Sequence, residues 1–185
     1  MAGGLIGSVL DRAVRRPDVG VCLRLNHWGV RSSVRRYFTV ISRLGDGPLW
    51  YALIFAFPLL DPGHRWEVSA QMAIAGVLAL VLYRWLKRHT RRPRPYVAHR
   101  EILALTAPLD EFSFPSGHTL HAVSFSTVAL AHEPLLAVVL VPFTASVALS
   151  RVVLGLHYPS DVLVAFGIGA VLGNLVLAVA PGIGL

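Results

Sequence analysis

The residues best suited to chemistry fall in three short clusters between Lys87 and Asp161. The last runs Ser150-Arg151-Val152-Val153-Leu154-Gly155-Leu156-His157-Tyr158-Pro159-Ser160-Asp161, where one helix is expected to end at Arg151 and another to begin near Pro159. A turn there lets Asp161 reach the Nδ1–H of His157, which fixes the tautomer and leaves Nε2 free as a nucleophile. Asp161 also suits the first turn of the following helix as a capping acid. The middle cluster, Phe114-Pro115-Ser116-Gly117-His118, directly precedes an apolar segment. The backbone N–H groups of Ser116, Gly117 and His118 are then free at a helix N-terminus, where the dipole and the bare Gly117 favour an approaching phosphate oxygen. His118 would stand at the rim of that corner, and Ser116 by itself also reads as an ordinary N-cap. The first cluster, Lys87-Arg88-His89-Thr90-Arg91-Arg92-Pro93-Arg94-Pro95, ends a helix in a cationic, proline-broken loop. Arg88, Arg91 and Arg92 read as a charge run meeting lipid headgroups, whereas Lys87 and Arg94 gain meaning only beside the other two clusters.

The segments that must position these groups are apolar. Of 185 residues 55% are hydrophobic and 15% charged, and the mean hydropathy is +0.61. Soluble domains run near ~45–50% and ~25%, so this composition excludes disorder and points to a chain whose solvent is partly lipid. Val162–Ala180 and Val68–Leu86 are each long enough to span most of a bilayer's hydrocarbon core. Pro48–Leu60, Thr119–Ala131 and Pro134–Leu149 are shorter apolar candidates bounded by polar or turn-forming residues. The expected architecture is therefore all-α: one domain over 1–185, a polytopic membrane bundle of about five spans at 47–180, preceded by an amphipathic interfacial region at 1–46. In that region Leu5, Ile6, Val9, Leu10, Ala13 and Val14 form one helical stripe. Trp28, Val30, Val34, Tyr37, Phe38 and Ile41, interleaved with Arg31, Arg35, Arg36 and Arg43, form a second, suited either to anionic headgroups or to the protein's own core. Cys22 is the one cysteine, which rules out an intramolecular disulfide and a cysteine-based metal cluster.

In this order and spacing the clusters resemble the type 2 phosphatidic acid phosphatase superfamily, the lipid phosphate phosphatases, which share their site with vanadium haloperoxidases and bacterial acid phosphatases. The family's first motif, Lys, six residues, Arg-Pro, falls on Lys87 and Arg94-Pro95; its second, Pro-Ser-Gly-His, on Pro115 to His118; its third, Ser-Arg, five residues, His, three residues, Asp, on Ser150-Arg151, His157 and Asp161. The resemblance implies a helical bundle that hydrolyses a phosphate ester or diphosphate through a phosphohistidine, with no metal or other cofactor. Residue chemistry agrees. Lys87, Arg94 and Arg151, with the amides near Ser116 and Gly117, supply donors to the equatorial oxygens of a phosphoryl transition state. His157 would attack in line, His118 would protonate the leaving oxygen and then activate water, and Asp161 would steady the imidazolium.

Sixteen of the 17 Lys and Arg residues lie at 1–46, at 84–100 or at Arg151, which an up-and-down bundle gathers on the side of the three clusters. By the positive-inside tendency that side faces the cytoplasm of a bacterial inner membrane, although the six-span bacterial relatives that the chain resembles carry a periplasmic site. The expected substrate is a lipid phosphate whose tail stays in the bilayer: an isoprenyl diphosphate such as undecaprenyl diphosphate, phosphatidate or phosphatidylglycerophosphate. A phosphotransferase using the same histidine, and a non-catalytic lipid-phosphate sensor or transporter, are the alternatives. Nucleic acid is a poor partner, because the cations flank apolar helices and no aromatic-basic platform is present. Gly169 and Gly173, four apart, permit close helix contact, within the bundle or between subunits of a homo-oligomer.

Overall fold

The computed structural model describes residues 17–60 and 66–183, so the stripe from Leu5 to Val14 lies outside the described residues. Among them every regular element is helical, with no strand. Helix α1 covers 17–29, followed by α2 (Ser32–Gly45), α3 (Pro48–Leu60), α4 (Trp66–Thr90), the short α5 (Pro95–Ala98), α6 (Gly117–His132), α7 (Ala137–Val153) and α8 (Pro159–Val179). Single 3-10 turns, Pro134–Leu136 and Ala180–Ile183, lead into α7 and follow α8. The five apolar segments expected from the sequence each carry one of α3, α4, α6, α7 and α8. Three stretches, Trp66–Ala98, Pro134–Val153 and Pro159–Val179, are long and apolar enough to cross a membrane.

The shorter α6 is the centre of the bundle, packed by α4, α7 and α8. Being shielded on most sides, it carries polar side chains that find partners inside: Ser124 Oγ donates to the Gly169 carbonyl at 3.2 Å, and Ser126 Oγ meets Thr144 Oγ1 at 2.8 Å. The outward faces of the surrounding helices are apolar as well. Phe55, Val77, Val81, Val138, Leu163 and Val171 are all exposed, the arrangement required when lipid replaces water. The Gly169/Gly173 pair is used within the chain. A Cβ at Gly169 would stand 2.7 Å from the Leu120 carbonyl oxygen and one at Gly173 2.7 Å from Thr127 Cβ, so the two glycines let α8 lie directly on α6.

The second amphipathic stripe divides its face. Phe38, Ser42 and Gly45 are buried where α2 packs on α7, while Trp28, Tyr37, Val40 and Leu44 are exposed. The described part of the N-terminal region is thus packed on the bundle and is not simply laid on headgroups. Just beyond it Trp50 fixes the entry into α3, stacking on Phe125 at 5.3 Å, meeting Phe143 edge-on at 5.7 Å and donating its Nε1–H to the Gly45 carbonyl at 3.0 Å. α1 is held at its buried Asn26. The side-chain amide donates to the carbonyls of Leu103 and Val153 at 2.9 and 3.1 Å and accepts the Leu103 N–H at 2.8 Å, tying α1 to the α5–α6 loop and to the end of α7.

Candidate active site

The turn after α7 decides where His157 stands. The Arg151 carbonyl accepts the N–H groups of both Leu156 and His157 at 3.0 Å, folding the chain back on the helix end. The reversal passes through Gly155 at φ +76, where a Cβ would fall 2.3 Å from the Leu103 carbonyl oxygen. His157 is thereby buried with Nδ1 3.7 Å from Asp161 Oδ2 and Nε2 3.4 Å from Arg94 Nη1. Asp161 is on the expected side of the ring, at ion-pair separation and not at hydrogen-bond length. Its Oδ2 accepts the Tyr158 N–H at 2.9 Å, the capping function, and its Oδ1 accepts from Arg92 Nη1 at 2.6 Å. Burial, and then the positive charges of Arg151, Arg94 and Lys87, hold the His157 pKa well below the ordinary histidine value, so the ring stays neutral at physiological pH.

Lys87, Arg94, Arg151, Gly117, His118 and His157 line one cavity of about 890 Å³. The three cations are only 5%, 1% and 3% exposed, so each reaches the cavity from inside the protein. Arg151 donates through Nη1 to Ser42 Oγ, and among the described residues its buried Nε has no partner. His118 sets Nε2 3.4 Å from Asp46 Oδ1, at the turn between α2 and α3. Burial raises the pKa of Asp46 against the lowering charge of Arg151. Ser116 is placed differently: fully buried, its Oγ lies 3.0 Å from Thr119 Oγ1 and its N–H donates to the Asp161 carbonyl at 3.3 Å, so that N–H is not free at the helix N-terminus. His121, one turn on, lines the cavity with its ring nitrogens 3.0 and 3.2 Å from the carbonyls of Gly117 and Gly76, of which the single N–H of a neutral ring serves one. Away from the cations the cavity runs between α3 and α4 along Ile54, Phe55, Ala73, Val77 and Leu80. No group of three or more His, Cys, Asp or Glu residues among the described ones is arranged to hold a metal ion.

Residues 66–183 match the family model of the PAP2 superfamily. The chain belongs to that family. It is 39% identical over 149 residues to the decaprenylphosphoryl-5-phosphoribose phosphatase of Mycobacterium tuberculosis, covering 77% of this chain and 78% of the relative. Among solved structures, Aquifex aeolicus LpxE superposes with a TM-score of 0.75 at 28% identity, covering 87% of this chain and 94% of that one. The first transmembrane PAP2 type phosphatidylglycerolphosphate phosphatase from Bacillus subtilis superposes with a TM-score of 0.74 at 25% identity, covering 92% and 88%. This PAP2 protein is a phosphoric ester hydrolase of the membrane-embedded kind.

Several site neighbours carry no signal in the motif spacing. Asp46, Ser42 and Asp18 come from the N-terminal helices, Asp110 from the α5–α6 loop, and Arg92 departs from its expected role at the headgroups. Arg92 forks, Nη1 to Asp161 Oδ1 at 2.6 Å and to Ser160 Oγ at 2.8 Å, Nη2 to Asp18 Oδ2 at 2.9 Å, with its guanidinium carbon 4.1 Å from the Tyr158 ring centre. Arg88 and Arg91, in contrast, are exposed as a headgroup-facing run requires. Arg92→Lys keeps the charge and loses the fork, and is expected to lower kcat by about 10²-fold with KM little changed, because the Asp161 carboxylate drifts from its place behind His157. Steady-state kinetics on the purified protein check this; unchanged kcat with weaker binding to anionic vesicles would return Arg92 to the headgroup run.

Proposed function

We propose that this PAP2 protein hydrolyses a phosphate monoester or diphosphate of a lipid, transferring the terminal phosphoryl group through a phosphohistidine at His157. The observation that carries the reading is convergence: three buried cations, one with an N–H that has no partner among the described residues, share a cavity with a neutral imidazole, and the cavity continues into an open apolar groove between α3 and α4. An isolated buried cation is costly, and three on one wall suit an oxyanion with several acceptors. The apolar arm suits an acyl or prenyl chain, which fits the lipids named for the relatives: a decaprenyl-linked phosphoribose and phosphatidylglycerophosphate.

In this mechanism the His157 Nε2 lone pair attacks phosphorus while Asp161 stands behind Nδ1 and balances the positive charge that develops on the ring. Arg94, Arg151 and Lys87 hold the equatorial oxygens. The P–O bond to the lipid breaks, and His118, protonated once the bound phosphate dianion and Asp46 face it, gives that proton to the leaving oxygen. Water then attacks the phosphohistidine as His118 takes up its proton; the P–N bond breaks and orthophosphate leaves with His157 restored. Asp46, 3.4 Å from His118, is the acidic neighbour of that proton.

Purified protein is expected to release orthophosphate from a lipid phosphate in the presence of EDTA and to carry acid-labile phosphate on rapid quench. His157→Asn should abolish both, and His118→Ala should lower turnover by about 10²- to 10⁴-fold. Loss of activity with EDTA would indicate a metal enzyme, and no release from any of a panel of lipid phosphates would indicate a sensor or transporter.

We further propose that the site faces the cytoplasm of the inner membrane. The support is the basic residues: seven lie at 84–100, where Arg84, Lys87, Arg88 and Arg94 line the site cavity, with Arg24 on α1 and Arg35, Arg36 and Arg43 on α2. A reporter fused after Leu185 is then expected to be active in the periplasm; a cytoplasmic signal would invert the chain.

A further inference from the structure

Asp110 stands outside every motif, in the loop between α5 and α6. Its two carboxylate oxygens each accept from Lys87 Nζ at 2.7 Å, and the Phe112 carbonyl accepts from the same nitrogen at 2.9 Å. An ammonium has three N–H donors, so those of Lys87 are all committed. Asp110 Oδ1 also accepts from Arg94 Nη2 at 2.7 Å, while Arg94 Nε donates to the Asp110 carbonyl at 3.0 Å and Nη1 to the Leu156 carbonyl at 2.9 Å. A phosphoryl oxygen bound by Lys87 therefore needs donors that Asp110 holds.

The carboxylate is the exposed partner of the three. The Asp110 side chain is 38% exposed while the side chains of Lys87 and Arg94 are at 7% and 1%, so its route away leads to solvent and theirs does not. The loop itself is fastened: Arg94 Nε holds the Asp110 carbonyl, Ser113 N–H donates to the Arg92 carbonyl at 2.9 Å, and Ser113 Oγ donates to the Pro93 carbonyl at 3.1 Å. With the loop held, rotation about the Asp110 side-chain bonds is the movement that would open the cations. Burial by itself would raise the carboxyl's pKa, but Lys87 and Arg94 outweigh it and hold it below the ordinary value, so the group is ionised at neutral pH.

We propose that Asp110 is a built-in competitor for the phosphate subsite, a carboxylate that occupies Lys87 and Arg94 and must swing toward solvent before a phosphoryl group takes its place. A lipid phosphate is kept beside the site by its tail and displaces the carboxylate as a dianion with three acceptor oxygens. Orthophosphate has no tail, and the returning carboxylate expels it. Asp110 in this way discriminates between tethered substrate and free product.

The inference rests on the proposed role of Lys87 and Arg94 as phosphate ligands, and the test keeps the two apart. Inhibition by inorganic phosphate is measured during turnover of a lipid phosphate by the purified full chain, for the wild type, Asp110→Asn and Asp110→Glu. If the carboxylate holds the cations at least nine-tenths of the time, its removal should tighten the inhibition constant by about tenfold or more, while Asp110→Glu, still charged, stays near the wild type. An unchanged or weaker constant in Asp110→Asn, or an equal change in both variants, overturns the competitor role while leaving an active wild type as a phosphatase. A wild type that releases no phosphate overturns both readings. Phosphorus NMR titration of inorganic phosphate into the same proteins repeats the comparison without turnover, and equal affinities there also overturn it.

Discussion

Burying a cation costs several kcal/mol unless other groups compensate it, and this chain buries Lys87, Arg94 and Arg151 on one wall. Most of the surrounding structure follows from that cost. Lys87 and Arg94 share Asp110, and the carbonyls of Phe112 and Leu156 take further donors. Arg151 finds Ser42 on α2, and its Nε has no partner among the described residues. Arg92 lies behind the wall and is joined to Asp161 and Asp18, so it adds little net charge where the other cations meet. Burial first, and then the positive field that remains, hold the His157 pKa well below the ordinary value and favour the neutral ring that a nucleophilic imidazole must be.

The same cost explains the work of the N-terminal helices. A bundle of apolar spans holds its members by packing, as Gly169 and Gly173 do for α6 and α8, but it offers few polar groups to fix loops at its ends. Those groups come from α1, α2 and the turn that follows. Asn26 holds the loop at Leu103 and the end of α7, Asp18 accepts the Ser160 N–H at 3.0 Å at the start of α8, and Asp46 reaches His118. The amphipathic region is thus joined to the site by side chains.

Much of this was legible in the sequence, and what was not has a common cause. Helix α3 has the bounds expected for it, Pro48–Leu60, since a proline and polar residues frame an apolar run in the sequence. The gathering of Lys87, Arg94, His118, Arg151 and His157 around one cavity follows motif spacings that keep each residue at a helix end. Arg92 was misplaced because local sequence sees a basic run, whereas its partners Asp18 and Asp161 are more than sixty residues away in the chain on either side. Asp110 and Asp46 stand outside every motif, and their partners Lys87 and His118 are likewise distant in the chain. Ser116 sits in the expected turn, but its hydroxyl and N–H are claimed by Thr119 and Asp161, an outcome only packing decides.

The central claim is that one oxyanion answers to all the converging groups. Anomalous diffraction from crystals grown with tungstate, a tetrahedral oxyanion whose metal locates itself, tests it most directly. The account predicts a single strong peak in the cavity, with Arg94 and Arg151 on its oxygens, Lys87 released to it and His157 Nε2 in line with the tungsten. A peak elsewhere, or one that leaves Arg151 and His157 untouched, would contradict it.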